Sequence, residues 1–116
     1  MNVLVQAKSL EVTDGIRSFV EKQAQKVSKV GVPIPLMTVY LEMVERKDHE
    51  ANRCVVSCKT ELAGKDVLVK KHGVDLYAVI VDAIEGTIRG VREVKEKRIA
   101  QKRKRTKATA LMADEI

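Results

Sequence analysis

Residues 37–70 read MTVYLEMVERKDHEANRCVVSCKTELAGKDVLVK, and this stretch decides the fold. Met37, Val39, Leu41 and Met43 alternate with Thr38, Tyr40 and Glu42, the period of a strand that buries one face, so a strand is expected from Met37 to Glu45. Lys47 to Ala51 is polar and reads as a hairpin loop. From Asn52 to Leu62 the alternation resumes, with Cys54, Val56 and Cys58 on a common face. Ala63-Gly64 then turns the chain into a further strand, Lys65 to Lys70. Hairpin connections make neighbouring strands antiparallel, so this stretch is a three-strand meander with one apolar face to cover.

Upstream, Asn2 to Lys8 alternates as a first strand. Thr13 is a suitable N-cap, and Asp14 is favourably placed against the helix dipole. The helix they open runs to about Lys29, with Ile16, Phe19, Val20, Ala24 and Val27 recurring every three or four residues as one buried stripe. Pro33 and Pro35 cannot continue it, so Gly31 to Pro35 is a connection. Downstream, Gly73-Val74-Asp75 starts a second helix. Tyr77, Ile80, Val81, Ile84, Ile88 and Val91 fall in one arc of roughly 100°, expected to pack on the sheet. Val79, Ala83, Gly86 and Gly90 form a second arc of small residues. Each glycine costs about 1 kcal/mol in a helix interior, which argues for a packing reason, and the arc is read as the line along which the first helix lies close, the alternative being glycines that let an RNA backbone approach.

The resulting order, β-α-β-β-β-α, predicts an α+β two-layer domain: a four-stranded mixed sheet with two helices packed on one face. The crossover through the first helix should be right-handed and should make strands one and two parallel. At 116 residues the chain fits one domain, expected over residues 1–105, with 106–116 as a flexible tail. A domain of this size should bury roughly two thirds of its unfolded surface, enough to fold without metal or disulfide. No internal repeat is present.

Composition narrows the function. Cys54 and Cys58, four apart on a strand, would lie about 13 Å from each other, beyond disulfide reach. Neither has zinc-spaced companions, so both read as small apolar fillers of a reduced, cytoplasmic protein. Met1-Asn2-Val3-Leu4-Val5 enters alternating structure at once and lacks the long apolar core of a signal peptide. No 18-residue apolar span and no lipidation signal is present, so no membrane partner is expected. His49 and His72 stand alone on segments read as loops. With no phosphate loop, Gly-x-Ser-x-Gly or metal spacing, no catalytic residue, metal, cofactor or small-molecule substrate is expected.

The formal net charge is +6, but its distribution says more than its total. From Gly86 to Lys107 there are ten basic residues and two acids, a segment of +8, while the remaining 12 basic and 14 acidic residues carry −2. A solvated helix face normally mixes both signs, so this imbalance points to a polyanionic partner, with nucleic acid ahead of a membrane surface. Beyond Val94 the sheet-facing arc itself turns basic, with Lys95, Arg98 and Lys102 where Ile84 and Ile88 sat. Burying them unpaired would be costly, so the helix should project past the sheet with a tip, Lys102-Arg103-Lys104-Arg105, charged all round. Lys22, Lys26 and Lys29 share one flank of the first helix, with Arg17 on the other side.

The aromatic residues are Phe19, Tyr40 and Tyr77. Phe19 and Tyr77 fall on core arcs, so no stacking platform for splayed bases is expected. The cations should instead contact phosphates of a folded RNA whose shape fits the domain, with steep salt dependence.

Three stretches resemble a known family, the ribosome hibernation-promoting factors and ribosome-associated translation inhibitors of bacteria and plastids. They are Leu10-Glu11-Val12-Thr13-Asp14-Gly15-Ile16-Arg17-Ser18-Phe19-Val20-Glu21-Lys22, His49-Glu50-Ala51, and Asp75-Leu76-Tyr77-Ala78-Val79-Ile80. The resemblance spans about residues 1 to 100 in matching order. It implies the same element order and binding to small-subunit ribosomal RNA in the channel used by messenger RNA and transfer RNA, hence inhibition by occlusion. The partner it implies is the small ribosomal subunit. The matching cations are Lys22, Lys26, Lys29, Arg89 and Arg92, and the basic run adds Lys95, Arg98, Lys102 and Arg103 as RNA-binding candidates. Gly86 and Gly90 depart from the family pattern, where relatives often carry long polar or basic side chains. Long members add a C-terminal pairing domain, and this chain looks like the short type.

Two other readings compete. A double-stranded RNA module also recognises shape with a helix-flanked sheet, but its order normally begins with a helix. A protein-binding regulator would grip an acidic partner through its exposed sheet or basic helix.

Overall fold

The elements follow the expected order: β1 (Asn2–Lys8), α1 (Asp14–Ser28), β2 (Leu36–Val44), β3 (Arg53–Leu62), β4 (Lys65–Gly73) and α2 (Leu76–Asp114). The computed structural model describes residues 1–44 and 53–114, with side chains as far as Lys102. The hairpin loop expected at Lys47 to Ala51, with His49, lies outside the described residues.

The sheet runs β1-β2-β3-β4, with β1 parallel to β2 and the other pairs antiparallel. Its register brings Val5, Val39 and Cys58 side by side, so the alternation read in sequence becomes one continuous buried face. Met37, Val39, Leu41 and Val56 are fully buried there. Each such aliphatic side chain contributes about 1.5–3 kcal/mol relative to exposure. From above, α1 contributes Ile16, Val20, Ala24 and Val27, the stripe its spacing predicts. Thr13 caps α1 as expected, its Oγ1 accepting from the Ile16 amide at 3.2 Å. Asp75 serves α2 similarly, its Oδ1 accepting from the Tyr77 amide.

Three details differ from the sequence reading. First, β4 extends to Gly73, past the Lys70 expected, because Val55 and Val56 of β3 still pair with His72 and Lys71. His72 is therefore an exposed strand residue, not part of a loop. Second, Tyr77 is 45% exposed. Its ring lies edge-on to Phe19 at 4.8 Å, an arrangement that contributes to packing while leaving the hydroxyl end of a first-turn residue near water. Third, the small-residue arc of α2 faces the sheet, not α1. A Cβ built on Gly86 would meet Val69 Cγ1 at 2.9 Å, and one on Gly90 would meet Val67 Cγ1 at 2.6 Å. The glycines let the long helix settle onto β4.

Cys54 and Cys58 are free and buried. Burial pushes the Cys58 thiol up to about 11, opposed by a hydrogen bond with Thr87, so it stays protonated across the physiological range. On the same buried face Thr60 Oγ1 finds no hydrogen-bond partner. An unsatisfied buried hydroxyl is destabilising, and valine has nearly its shape. Thr60→Val is expected to raise stability by about 1 kcal/mol, read as a higher urea midpoint at unchanged slope.

Candidate nucleic-acid interface

A helix of 39 residues is about 58 Å long at 1.5 Å per residue, far longer than the sheet it crosses. Its buried residues end with Val91 and Val94, and Glu96 to Lys102 are exposed. The helical backbone then runs past Arg105, further than the apolar pattern alone carries it. Among the described residues no helix is long and apolar enough to cross a membrane, and no cluster of His, Cys, Asp or Glu is gathered to hold a metal ion.

Where α2 leaves the body, cations gather on both of its flanks. On one side Lys29, Arg92 and Lys95 line a cleft of about 370 Å³ together with Val30, Glu96 and Ile99. The adjoining cleft, of about 430 Å³, is lined by Arg89, Arg92, Glu85 and Ile88, so Arg92 is common to both. Lys22, Lys26 and Lys29 are all exposed along α1 and lead to the same junction. Lys26 in the last turn of α1 and Lys29 at its C-cap also suit the negative end of the helix dipole, a structural reason for cations at these two positions. On the opposite flank Arg98 and Lys97 line a cleft of about 240 Å³ with Lys65, Gly64, Val94 and Gln101. Lys65 escaped the sequence reading because only the β3–β4 turn brings it to α2. Arg103 has no described side chain.

Lys95 and Arg98, both expected to bind RNA, have partners within the fold. Lys95, which the arc argument sent into solvent, is half-buried and its Nζ donates to the Val30 carbonyl at 2.7 Å. The chain makes room at Gly31, whose φ of +85° would strain any other residue and where a built Cβ would lie 3.3 Å from Lys95 Nζ. Arg98 donates through Nη2 to the Ala63 carbonyl at 2.5 Å. These bonds tether the exit turn of α2 to the α1–β2 connection on one side and the β3–β4 turn on the other. Each cation keeps further N–H donors for an outside partner. Lys95→Met should therefore lower stability by about 1 kcal/mol in urea unfolding while weakening RNA binding less than Arg92→Met.

The aligned cations and the long projecting helix make one positively charged surface where α2 leaves the body. Among curated proteins none matches the chain, but solved structures do. The N-terminal domain of Protein Y from Thermus thermophilus superposes with a TM-score of 0.70 at 26% identity, covering 81% of this chain and 99% of that one. A ribosomal subunit interface protein from Coxiella burnetii superposes at 0.67 and 12% identity, covering 83% and 99%, which shows the shared fold. A family model described as Sigma 54 modulation protein / S30EA ribosomal protein matches residues 3–99. With most of its length matched and the fold shared, the chain belongs to this ribosome-associated hibernation family.

Proposed function

We propose that this protein holds ribosomes inactive by binding small-subunit ribosomal RNA in the channel that messenger RNA and transfer RNA use. The observation that carries the reading is the junction of α1 and α2, where Lys29, Arg92 and Lys95 line one cleft and Arg89 and Arg92 the next. Phosphates of a folded RNA can sit in both clefts at once, so the spacing of the two helices selects a backbone shape and needs no base readout. Occlusion follows from bulk: a rigid domain anchored by its helices excludes other strands from the space it fills. No covalent step is required, and the protein would act in the cytoplasm wherever idle ribosomes are present.

Lys22, Lys26, Lys29, Arg89 and Arg92 supply the main phosphate contacts. Lys95, Arg98, Lys102 and Arg103 extend the positive surface along residues 1–105, with residues 106–116 outside the binding unit. The test is sedimentation of the purified protein with isolated subunits across a salt series. Co-sedimentation with small subunits, lost on adding messenger and initiator transfer RNA, is the expected result. Five phosphate contacts predict a slope of log affinity against log salt of roughly −4. No binding at low salt, or equal binding to large subunits, overturns the reading.

A further inference from the structure

Both helices pack on one side of the sheet, and among the described residues nothing covers the other side. Along it the register sets Leu4, Thr38, Lys59 and Leu68 in one cross-strand row and Gln6, Tyr40, Ser57 and Lys70 in the next. Leu4 is 44% exposed and Leu68 72%, unusual for leucines on a sheet. Ser57 is the smallest side chain in its row, and above it opens a groove of about 320 Å³ lined by Tyr40, Leu68, Thr38, Lys59 and Lys70. This groove is distinct from the helix clefts and shares no residue with them.

The lining chemistry is specific. The walls are an aromatic ring and a leucine, the floor carries small hydroxyl groups, and the only charged side chains in the lining are two lysines. Lys59 already lies 3.8 Å from both Glu61 and Asp66, exposed pairs that an incoming anion can displace. Lys70 has no ion pair among the described residues and is the anion's first partner. A flat apolar ring attached to a negative charge fits these features together. An extended peptide would seek the backbone groups of a sheet edge, not its face. A second copy docked face to face would bring the exposed lysines of the two surfaces together.

We infer that this groove takes one unpaired nucleotide of an RNA strand, its base between Tyr40 and Leu68 and its phosphate on Lys70. The choice of RNA as the anion rests on the function proposed above, but the site is a second one, on the opposite side of the molecule from the helix cations. It runs against the expectation that the chain has no stacking platform for splayed bases: Tyr40 alternates outward from the core, and only the neighbouring strands make a groove beside it. Stacking is tolerant of base identity, so little sequence preference is expected.

The test is a two-dimensional amide NMR titration with a uridine hexanucleotide, a blunt RNA duplex and uridine monophosphate. The site predicts shifts at Thr38, Tyr40, Ser57, Leu68 and Lys70 with the hexanucleotide, and much weaker effects from the duplex and the mononucleotide. Tyr40→Ala should weaken strand binding about tenfold or more, while Tyr40→Phe keeps it. Ser57→Leu, which fills the groove and leaves the aromatic ring in place, should also abolish it. A variant with Lys22, Lys26, Arg89 and Arg92 changed to Glu should keep these shifts even if it no longer binds ribosomes, which separates failure of this site from failure of the ribosomal reading. Shifts confined to α1 and α2, equal shifts with duplex or mononucleotide, or strand binding untouched by Tyr40→Ala overturn the inference.

Discussion

Changing Lys22, Lys26, Arg89 and Arg92 together to glutamate is expected to lower affinity for the small subunit by at least about a thousandfold near physiological salt, with the fold intact. All four side chains are exposed, so nothing in the core depends on them. Each phosphate contact removed takes roughly 0.7–0.9 from the salt slope, so four should remove about 3 units, and the new carboxylates add repulsion. The slope distinguishes lost phosphate contacts from general damage, because a merely destabilised protein would bind less without changing the number of counterions released. Arg92 alone should have the largest single effect, since it lines both clefts at the helix junction. Sedimentation supplies the affinity and slope, and thermal melting within a few degrees of the parent checks the fold.

The second large effect concerns stability. Gly90→Leu should unfold the protein or cost several kcal/mol, because the first atom of any side chain at this position falls 2.6 Å from Val67 Cγ1. Gly90→Ala is the informative case. Alanine gains about 1 kcal/mol of helix propensity, and overpacking costs about 1–3 kcal/mol, so a net loss near 1 kcal/mol is expected. Val67 belongs to the sheet and is itself buried, so the helix can retreat only by opening contacts on its neighbours. Adding Val67→Ala removes the clashing methyl and leaves the Val67 Cβ 3.9 Å away, an ordinary contact. The double variant should therefore be more stable than the two single losses added together, a coupling of about 1 kcal/mol or more in urea unfolding. If Gly90→Ala is stabilising, the close approach of α2 to β4 is not what the glycine serves.

That approach also bears on how the chain differs from the pattern expected of its family. Gly86 and Gly90 stand on the middle of the second helix, where the resemblance leads one to expect long polar or basic side chains, and both face β4. Cations are concentrated instead where α2 leaves the body, on Arg89, Arg92, Lys95, Lys97 and Arg98.

The sequence by itself determined the element order, the mixed sheet and the buried stripe of α1, because each depends on periodicity and local breakers. Alternation from Met37 to Glu45 and from Asn52 to Leu62 permits only strands with one buried face, Pro33 and Pro35 keep the first helix from continuing, and Thr13 caps it through a contact three residues away. The excess of positive charge after Gly86 was equally plain, since counting needs no coordinates. Tertiary structure alone decided which arc of α2 meets the sheet, because a helical wheel gives the angle between two arcs but not what stands opposite either. It also decided the state of Lys95 and Arg98: their partners, the carbonyls of Val30 and Ala63, are 65 and 35 residues away, and main-chain acceptors leave no trace in composition. The same holds for Lys65 beside Arg98 and for the groove between Tyr40 and Leu68. Both are made by side chains on different elements, and it is the packing and register of those elements that set them side by side.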